Sequence, residues 1–412
     1  MTKPELISAA QPRKSHHRGH VSVAQKLSYL SHWVPGYAWQ RLVRHRRANQ
    51  THLIFALADH FEPAIVPEDG AARAPYAEQE RRLEWWCREY PRAFRRWRDA
   101  EGRPFVHTYF YPAEQYDSAL IARLAEHCSN GWGEIEIHLH HGIEGPDSAA
   151  NTKRLLIEFS DRLARTHGCL SYGGRSAQPR YSFVHGNFAL ANSADGRWCG
   201  VDSEMQILSD TGCYADLTLP TGAFHAAQTS KINSIYECAL PLMERSAHRK
   251  GKDLVRGRAP QVFPLIVQGP LMLDFTSDHG LRRWRIENAA LTGSNPPSMH
   301  RLGLWKRAGI CVAGRPDWLF IKLHCHGMDP THREATLGAG IQKFVSELVE
   351  GAELRNEILH FVSAREMVNI ILAACEGKEG NPGEYRDFRL KRTRPSTSDS
   401  PGRENSSAVL KG

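Results

Sequence analysis

Along most of this chain, short apolar segments of strand length alternate with helical patterns, and this alternation constrains the fold more than any other feature. The strand pattern occurs in residues 53–58, 105–109, 134–140, 183–185, 213–218, 262–267, 319–324 and 359–362. Strands that alternate with helices predict an α/β fold with a parallel sheet. We expect a distorted (β/α) barrel of seven or eight parallel strands, with catalytic groups at the carboxyl ends of those strands.

Two of the helical segments carry end signals. Asn151 is placed to cap a helix that ends at Gly168. The apolar residues of that helix share one face: Leu155, Leu156, Phe159 and Leu163. Ser363 and Glu366 have the spacing of a capping box, which predicts the start of a second helix.

Charge divides the chain into three parts. The 412 residues carry a formal net charge of +8, and residues 1–50 hold nine Lys and Arg against one acid, so the remainder is neutral. We therefore predict a basic N-terminal arm over residues 1–50 and a (β/α)-barrel domain over residues 51–376. Because Pro, Ser, Gly, Arg and Lys dominate from Gly377 onward, a disordered tail is predicted over residues 377–412. A neutral body argues against nucleic acid as a partner.

The arm contains a short helical pattern from residue 23 to residue 43, which carries Leu27, Leu30, Trp33 and Trp39. Such a helix either docks on the body or makes a weak contact with an anionic membrane surface or a partner. The residues of the pattern leave both alternatives open.

The lengths of the apolar runs and the number of cysteines argue against a membrane-spanning, secreted or disulfide-bonded protein. No run approaches the roughly 18–20 apolar residues of a membrane span, and the N-terminus has no apolar core of signal-peptide length. The nine cysteines are odd in number and form no Cys-x-x-Cys pair. We therefore expect a reduced, cytoplasmic chain without a disulfide framework.

The segment from Gly133 to Gly142 is the most informative for chemistry. Strand alternation places Glu134, Glu136, His138 and His140 on one face and apolar residues on the other. Carboxylates and imidazoles that point into a barrel are costly unless protons or a metal satisfy them. The segment therefore predicts a divalent metal site built on His138 with His140 or His141, the alternative being hydrogen-bonded structural histidines.

Acidic and imidazole groups also end the first strand, at Asp59, His60 and Glu62. A carboxylate at this strand end can complete an Asp-His-His set that leaves positions open for water. Asp59 is the predicted ligand, and the alternative is that Asp59 caps the following turn.

Lys322, His324 and His326 share one face of a late strand. An imidazolium can protonate a leaving amine near neutral pH, so His324 is predicted to be the general acid. The alternatives are a second pair of metal ligands and buried structural histidines.

Two further strand ends carry polar groups on alternate positions. His185 and Asn187 end one strand, and Tyr214, Asp216 and Thr218 share a face of the next. These residues either orient a substrate or a catalytic histidine, or they only make loop hydrogen bonds. We name His185, Asn187, Tyr214 and His326 as the predicted substrate-binding residues.

In this order the segments resemble the polysaccharide deacetylase (NodB-homology) family of metal-dependent carbohydrate hydrolases. The family is similar to a distorted (β/α) barrel with an early acidic motif, a histidine motif, a Tyr-Asp-Ser stretch and a late Leu-His. Asp59 and His138 match the family's metal aspartate and first metal histidine. Tyr214-Ala215-Asp216 looks like the Tyr-Asp-Ser stretch, and Leu323-His324 like the late Leu-His. The match covers about residues 53–375, as scattered short motifs.

The chain departs from the family at three positions. Gly142 stands where the second metal histidine is expected, so His140 or His141 must substitute. Ala58 stands in place of the base aspartate, and His185 near the place of an arginine. Glu136, Glu62 and His60 are therefore alternative bases, and Glu136 joins His324 and Asp216 as the predicted catalytic residues.

The resemblance implies a metal-dependent hydrolase that removes an acyl group, such as acetyl, from an amino sugar or glycan. Zinc is the first expectation for the metal, with Mn, Co or Mg as alternatives. The implied partner is a carbohydrate or nucleotide-sugar substrate. Other activities that fit the same strand ends are a metal-dependent phosphoesterase, a glycoside hydrolase and a non-catalytic carbohydrate-binding barrel.

Overall fold

A computed structural model describes residues 23–44, 50–67, 72–173, 178–222, 227–275 and 285–392. Its α-helices are α1 (Val23–Val43), α2 (Tyr76–Phe94), α3 (Ser118–His127), α4 (Ala149–Asp161), α5 (Glu204–Asp210), α6 (Met299–Ala308), α7 (Arg333–Thr336), α8 (Ala339–Glu350) and α9 (Ala364–Cys375). Its strands are β1 (Thr51–His60), β2 (His107–Pro112), β3 (Gly133–Leu139), β4 (Ser171–Gly173), β5 (Tyr181–His185), β6 (Cys213–Asp216), β7 (Ile235–Glu237), β8 (Lys252–Asp253), β9 (Leu265–Val267), β10 (Met272–Asp274), β11 (Arg285–Glu287), β12 (Trp318–Cys325), β13 (Glu357–Phe361) and β14 (Leu390–Arg392).

One mostly parallel sheet of ten strands organises the fold, in the order β12-β1-β2-β3-β5-β6-β9-β7-β8, with β13 also paired to β1. β7 is antiparallel to both β9 and β8. The predicted mixed α/β class and parallel sheet are confirmed, but the described residues contain more strands in this sheet than the seven or eight expected. The additional β7 and β8 span only three and two residues, which is too short for an alternating pattern to reveal.

The sheet curls strongly upon itself. Five strand-to-strand steps separate β12 from β6, which would place them about 24 Å apart in a flat sheet at about 4.8 Å per step. Lys322 of β12 nevertheless donates from Nζ to the carbonyl oxygens of Leu217 and Leu219, just beyond β6, at 2.6 and 2.5 Å. A lysine side chain cannot bridge the flat spacing, so the curl brings these two strands together.

The two faces of the sheet pack against different helices. Alternate residues of β1, beginning with Leu53 and Phe55, pack with Trp86 and Tyr90 of α2, and we call this side the α2 face. The intervening residues, which include Ala56, lie in the same buried apolar cluster as the residues of α9. We call this side the α9 face. Eleven of the twelve residues of α9 are buried, and the two buried polar ones, Arg365 and Asn369, are hydrogen-bonded.

The N-terminal helix docks on the body, which is one of the two alternatives for the arm. Trp33 of α1 is fully buried, and the Arg44 guanidinium donates to the carbonyl oxygens of Asn233 and Ala308. Residues 1–22 and 45–49 of the predicted arm lie outside the described residues.

The predicted disordered tail is wrong for its first part. Leu390–Arg392 forms β14 and pairs with β4, and Arg386 is buried against Asp99 and Glu101. The composition is polar, but ion pairs and strand pairing order the segment as far as Arg392. Residues 393–412 lie outside the described part of the chain.

Both predicted helices form, but both ends of the first are corrected. α4 ends at Asp161, and a π-helical turn over Arg162–Thr166 follows it, short of the predicted end at Gly168. The capping box of Ser363 and Glu366 is present at the start of α9. The cap of α4 is Ser148, whose hydroxyl accepts from the Asn151 N–H, so Asn151 lies inside the helix. Among the described residues, no helix combines the length and apolar character needed to cross a membrane.

Candidate metal centre

Three side chains from the carboxyl ends of β1 and β3 converge on the α9 face, and we call them the central cluster: His60, Glu62 and His138. Each offers one ligand atom, and these atoms lie within 4.8 Å of one another. The Glu62 Oε1 atom lies 3.6 Å from His138 Nε2 and 3.9 Å from Nε2 of the neighbouring His326. Two imidazoles and a carboxylate at this spacing form a donor set that suits a divalent transition metal.

The protonation of His138 follows from its hydrogen bond. Its Nδ1 atom lies 2.7 Å from the carbonyl oxygen of Val184, which can only accept, so Nδ1 carries the proton. In the neutral ring the Nε2 atom presents a lone pair, and the atom is buried without a hydrogen-bond partner among the described residues. A backbone acceptor that fixes the tautomer of a histidine is the usual support of a metal ligand.

Glu62 is held in its ionised form. Burial favours the neutral acid, but the contact with His138 and the charges of His140 and His326 outweigh burial and lower the pKa of Glu62 to about 2. The side chain is 12% exposed and that of His326 is 28% exposed, so the cluster opens to solvent on the His326 side.

His324 lies next to the central cluster with one free nitrogen. Its ring centroid is 6.2 Å from that of His60, and its Nδ1 atom is buried with no partner in the described part of the chain. Burial, and then the charges of Lys322 and His326, hold the pKa of His324 well below its ordinary value. The imidazole is thus neutral near pH 7 and can accept a proton.

The structure commits His140 to a carboxylate rather than to the central cluster. Its Nδ1 atom lies 2.7 Å from Glu114 Oε1, while its ring packs edge-on against that of His138 at 4.5 Å. Burial lowers the pKa of His140, but Glu114 and Glu62 more than compensate and raise it to about 9. The ligand atoms that lie within 4.8 Å of one another around His138 do not include one from His140, whose ring packs against and positions the His138 ring.

No protein-family model matches this chain, and no curated protein matches it either. The geometry of the site therefore carries the functional argument.

The predicted ligand Asp59 is not brought to His138. Asp59 follows the parity of Phe55 and Leu57, so its carboxylate lies on the α2 face. There, Asp59 Oδ2 lies 2.9 Å from His107 Nδ1, and Oδ1 accepts the Gly327 N–H at 2.6 Å. Asp59 thus anchors the turn after β12, and with His107 and Cys325 it forms a separate buried group whose ligand atoms lie within 4.8 Å of one another. Beside His138, the carboxylate is that of Glu62.

The predicted catalytic carboxylates lie within the sheet. Glu136 accepts from the Tyr214 hydroxyl at 2.5 Å and from the Ser182 N–H at 2.6 Å, and burial raises its pKa to about 8. Asp216 accepts from the N–H and hydroxyl of Thr218, and burial raises its pKa to about 7. The partners of Glu136, Tyr214 and Asp216 are thus groups of β3, β5, β6 and the turn after β6.

Two further predicted residues, His141 and His185, meet in a separate group. Their Nε2 atoms are 3.0 Å apart, and both contact Glu204 Oε1. Asn187 follows with an exposed side chain and a positive φ of 51°. The structure therefore divides the predicted histidines: His138 and its neighbours form one group, and His141 and His185 another.

Two residues of the second group, Cys199 and Glu204, have no counterpart in the predicted site. Both follow β5 in a stretch without strand alternation, and neither belongs to a recognisable spacing motif. Only the fold brings them beside His185.

Proposed function

We propose that this chain is a metal-dependent hydrolase in which His60, Glu62 and His138 hold a divalent ion. The observation that carries the proposal is the His138 Nε2 atom, which is buried and unpartnered while its Nδ1 proton is committed to Val184. Zinc suits a set of two imidazoles and one carboxylate with a position left open. Mn and Co are the alternatives.

The residues around the ion have separate roles. A divalent ion bound there supplies Lewis acidity, which lowers the pKa of water and polarises an acyl carbonyl. His324 accepts a proton at Nδ1 and returns it to the leaving amine, since its neutral imidazole stands beside His60 with that atom free. His326, whose side chain is partly exposed on the solvent side, would contact the substrate.

We further propose that the substrate is an N-acylated amino sugar or glycan. Support comes from the order of the early acidic, histidine, Tyr-x-Asp and late Leu-His segments, which resembles that of the polysaccharide deacetylases. The curl that joins Lys322 to Leu217 and Leu219 supports a distorted barrel as the architecture.

The test is acetate release from N-acetylated oligosaccharides by protein loaded with zinc. We expect turnover that a chelator removes, and a loss of at least about 100-fold in His138→Ala, since removing even a group that only supports a ligand costs about 10–100-fold. The matched control is His167→Ala, because His167 contacts Tyr116 outside the cluster.

Three results would contradict the proposal. Turnover that persists without a divalent ion would remove the metal from the reaction. Release of phosphate or of reducing sugar in place of acetate would indicate a phosphoesterase or a glycoside hydrolase. Tight glycan binding without turnover would indicate a carbohydrate-binding barrel.

A further inference from the structure

A second group of metal-ligating side chains lies outside the central cluster, and we call it the closed cluster: His141, His185, Cys199 and Glu204. Their ligand atoms lie within 4.8 Å of one another. Cys199, Glu204 and His185 have no exposed surface, and His141 is 5% exposed. The closed cluster is therefore shut off from solvent, unlike the central cluster with its opening at His326.

Hydrogen bonds fix the orientation of both imidazoles. His141 Nδ1 lies 2.8 Å from Asp147 Oδ2, and His185 Nδ1 lies 2.6 Å from the carbonyl oxygen of Gly186. Both partners are acceptors, so both Nδ1 atoms carry protons in the neutral rings. The two Nε2 lone pairs consequently point at the same place, and an acceptor on the far nitrogen is typical of histidines that bind metal.

The two Nε2 lone pairs and the Glu204 carboxylate repel one another unless a proton or a metal cation lies between them. His141 Nε2, His185 Nε2 and Glu204 Oε1 lie 3.0, 3.0 and 3.1 Å apart in the three pairs. Two lone pairs and a carboxylate in a buried, low-dielectric site cannot remain uncompensated. A single proton bridges only two of the three atoms, whereas one cation contacts all three.

The spacing is close to that of a tetrahedral metal site. Zinc lies about 2.0–2.2 Å from nitrogen and oxygen ligands, which places ligand atoms about 3.4 Å apart in a tetrahedron. Cys199 supplies a fourth donor, and its Sγ atom already receives the Val201 N–H at 3.5 Å. The neutral thiol donates to the Val201 carbonyl oxygen at 3.8 Å, and a metal that binds the sulfur would displace that proton.

We propose that the closed cluster is a structural site for a divalent transition metal, zinc first among them, with His141, His185, Cys199 and Glu204 as its four ligands. Four protein ligands without solvent access are the mark of a structural rather than a catalytic zinc site. The proposal is independent of the hydrolase activity, since none of these ligands belongs to the central cluster.

The site would hold a strained segment in place. Asn187, Phe188, Ala191 and Asn192 all have positive φ between 49° and 58°, a conformation that persists only where the surrounding structure enforces it. Glu204 Oε2 accepts the Ala191 N–H at 2.6 Å, which ties the segment to the closed cluster.

The same segment reaches the central cluster. The Phe188 ring lies 5.7 Å from that of His60 and 5.9 Å from that of His324. A metal in the closed cluster therefore supports one wall of the candidate active site.

Cobalt substitution distinguishes the two sites, because the central cluster contains no thiol. We expect the cobalt-loaded protein to show a thiolate-to-cobalt charge-transfer band, which His138→Ala retains and Cys199→Ser loses. The matched control is Cys213→Ser, since Cys213 is as deeply buried as Cys199 but contacts Ala215. Metal analysis should find two equivalents in the wild type and one in each of His138→Ala and Cys199→Ser.

A second variant covers the case in which Cys199→Ser does not fold. Glu204→Gln keeps the thiol and should weaken cobalt binding at the closed cluster by at least about 100-fold. The proposal is overturned if the wild type shows no charge-transfer band, or if the band and both metal equivalents survive in Cys199→Ser. If the cobalt-loaded wild type shows the charge-transfer band but the zinc-loaded wild type hydrolyses no N-acetylated oligosaccharide, the proposed function alone is overturned.

Discussion

Replacing Gly327 by alanine should destabilise the protein because a side chain has no room at this position. The Gly327 N–H donates to Asp59 Oδ1 at 2.6 Å. A Cβ atom would lie 2.8 Å from Trp86 Cη2 and 3.1 Å from Asp59 Cγ, and it would meet Asp59 Oδ2 inside the 3.0 Å limit that real Cβ atoms keep. The Asp59 side chain cannot move away from the new Cβ atom, because it is fully buried and hydrogen-bonded to His107.

The size of the effect follows from these contacts. The turn that carries Gly327 must move away from Asp59, and overpacking of a buried site costs about 1–3 kcal/mol. The same movement weakens a hydrogen bond to a charged group, which is worth about 1.5–3 kcal/mol. Because one displacement causes both losses, we expect the free energy of unfolding to fall by about 3 kcal/mol.

Urea unfolding of Gly327→Ala and Gly145→Ala measures this difference. Gly145 is the matched control, since a Cβ built there meets no atom within 4 Å, and its replacement should change stability by less than about 0.5 kcal/mol. If Gly327→Ala were as stable as Gly145→Ala, the packing of Asp59 beneath the turn would be refuted.

Three further predictions concern the ends of the chain and the acid limb of stability. Trp33→Ala should cost about 3–5 kcal/mol, whereas Trp39→Ala, at a side chain 66% exposed in the same helix, should be nearly neutral in the same urea assay. Arg386→Ala removes the cation paired with the buried Asp99 carboxylate and should cost about 3–5 kcal/mol. The exposed Arg389→Ala should cost less than about 1 kcal/mol, both measured by thermal unfolding. Burial raises the pKa of Glu101, but hydrogen bonds from His360, Asn381 and Arg386 outweigh burial and bring this pKa down from 4.5 to about 2. The stabilising contribution of the Glu101 carboxylate is therefore complete above pH 4.5 and is lost as the pH falls towards 2. Between those values, the free energy of unfolding of Glu101→Gln should depend less on pH than that of the wild type. An unchanged pH dependence would exclude this role.

Strand alternation predicted the part of the fold that positions His138. Residues Ile135, Ile137 and Leu139 pack on the α2 face, as the sequence indicates, and His138 therefore points to the opposite side. The reason is general: a period of two leaves no freedom once one face of a strand is apolar. The eight predicted strands all correspond to strands of the structure, with ends that differ by a few residues.

The same rule, applied to β1, indicates His60 as the candidate metal ligand, whereas the family resemblance indicated Asp59. In β1, Phe55 and Leu57 lie on the α2 face, and Asp59 continues that series. Ala56 and Ala58 lie on the α9 face, and His60 continues theirs. Matching Asp59 to a family motif overrode this parity, whereas alternation applied along β1 would have selected His60.

Long-range contacts explain what the sequence could not indicate. Cys199 and Glu204 reach the closed cluster only because the chain after β5 folds back on the end of β3. Arg386 is ordered by carboxylates nearly 300 residues earlier in the chain, at Asp99 and Glu101. Neither arrangement leaves a periodic or spaced signal, so composition alone suggested loops and a disordered tail.

The most direct test of the central claim is a crystal structure of the zinc-loaded protein, with anomalous diffraction recorded at the zinc edge. The account predicts an anomalous peak about 2.0–2.1 Å from His138 Nε2, with His60 and Glu62 as its other protein ligands. A fully loaded crystal with no peak beside His138, or with a peak bound by Asp59 and without His60 and Glu62, would contradict it.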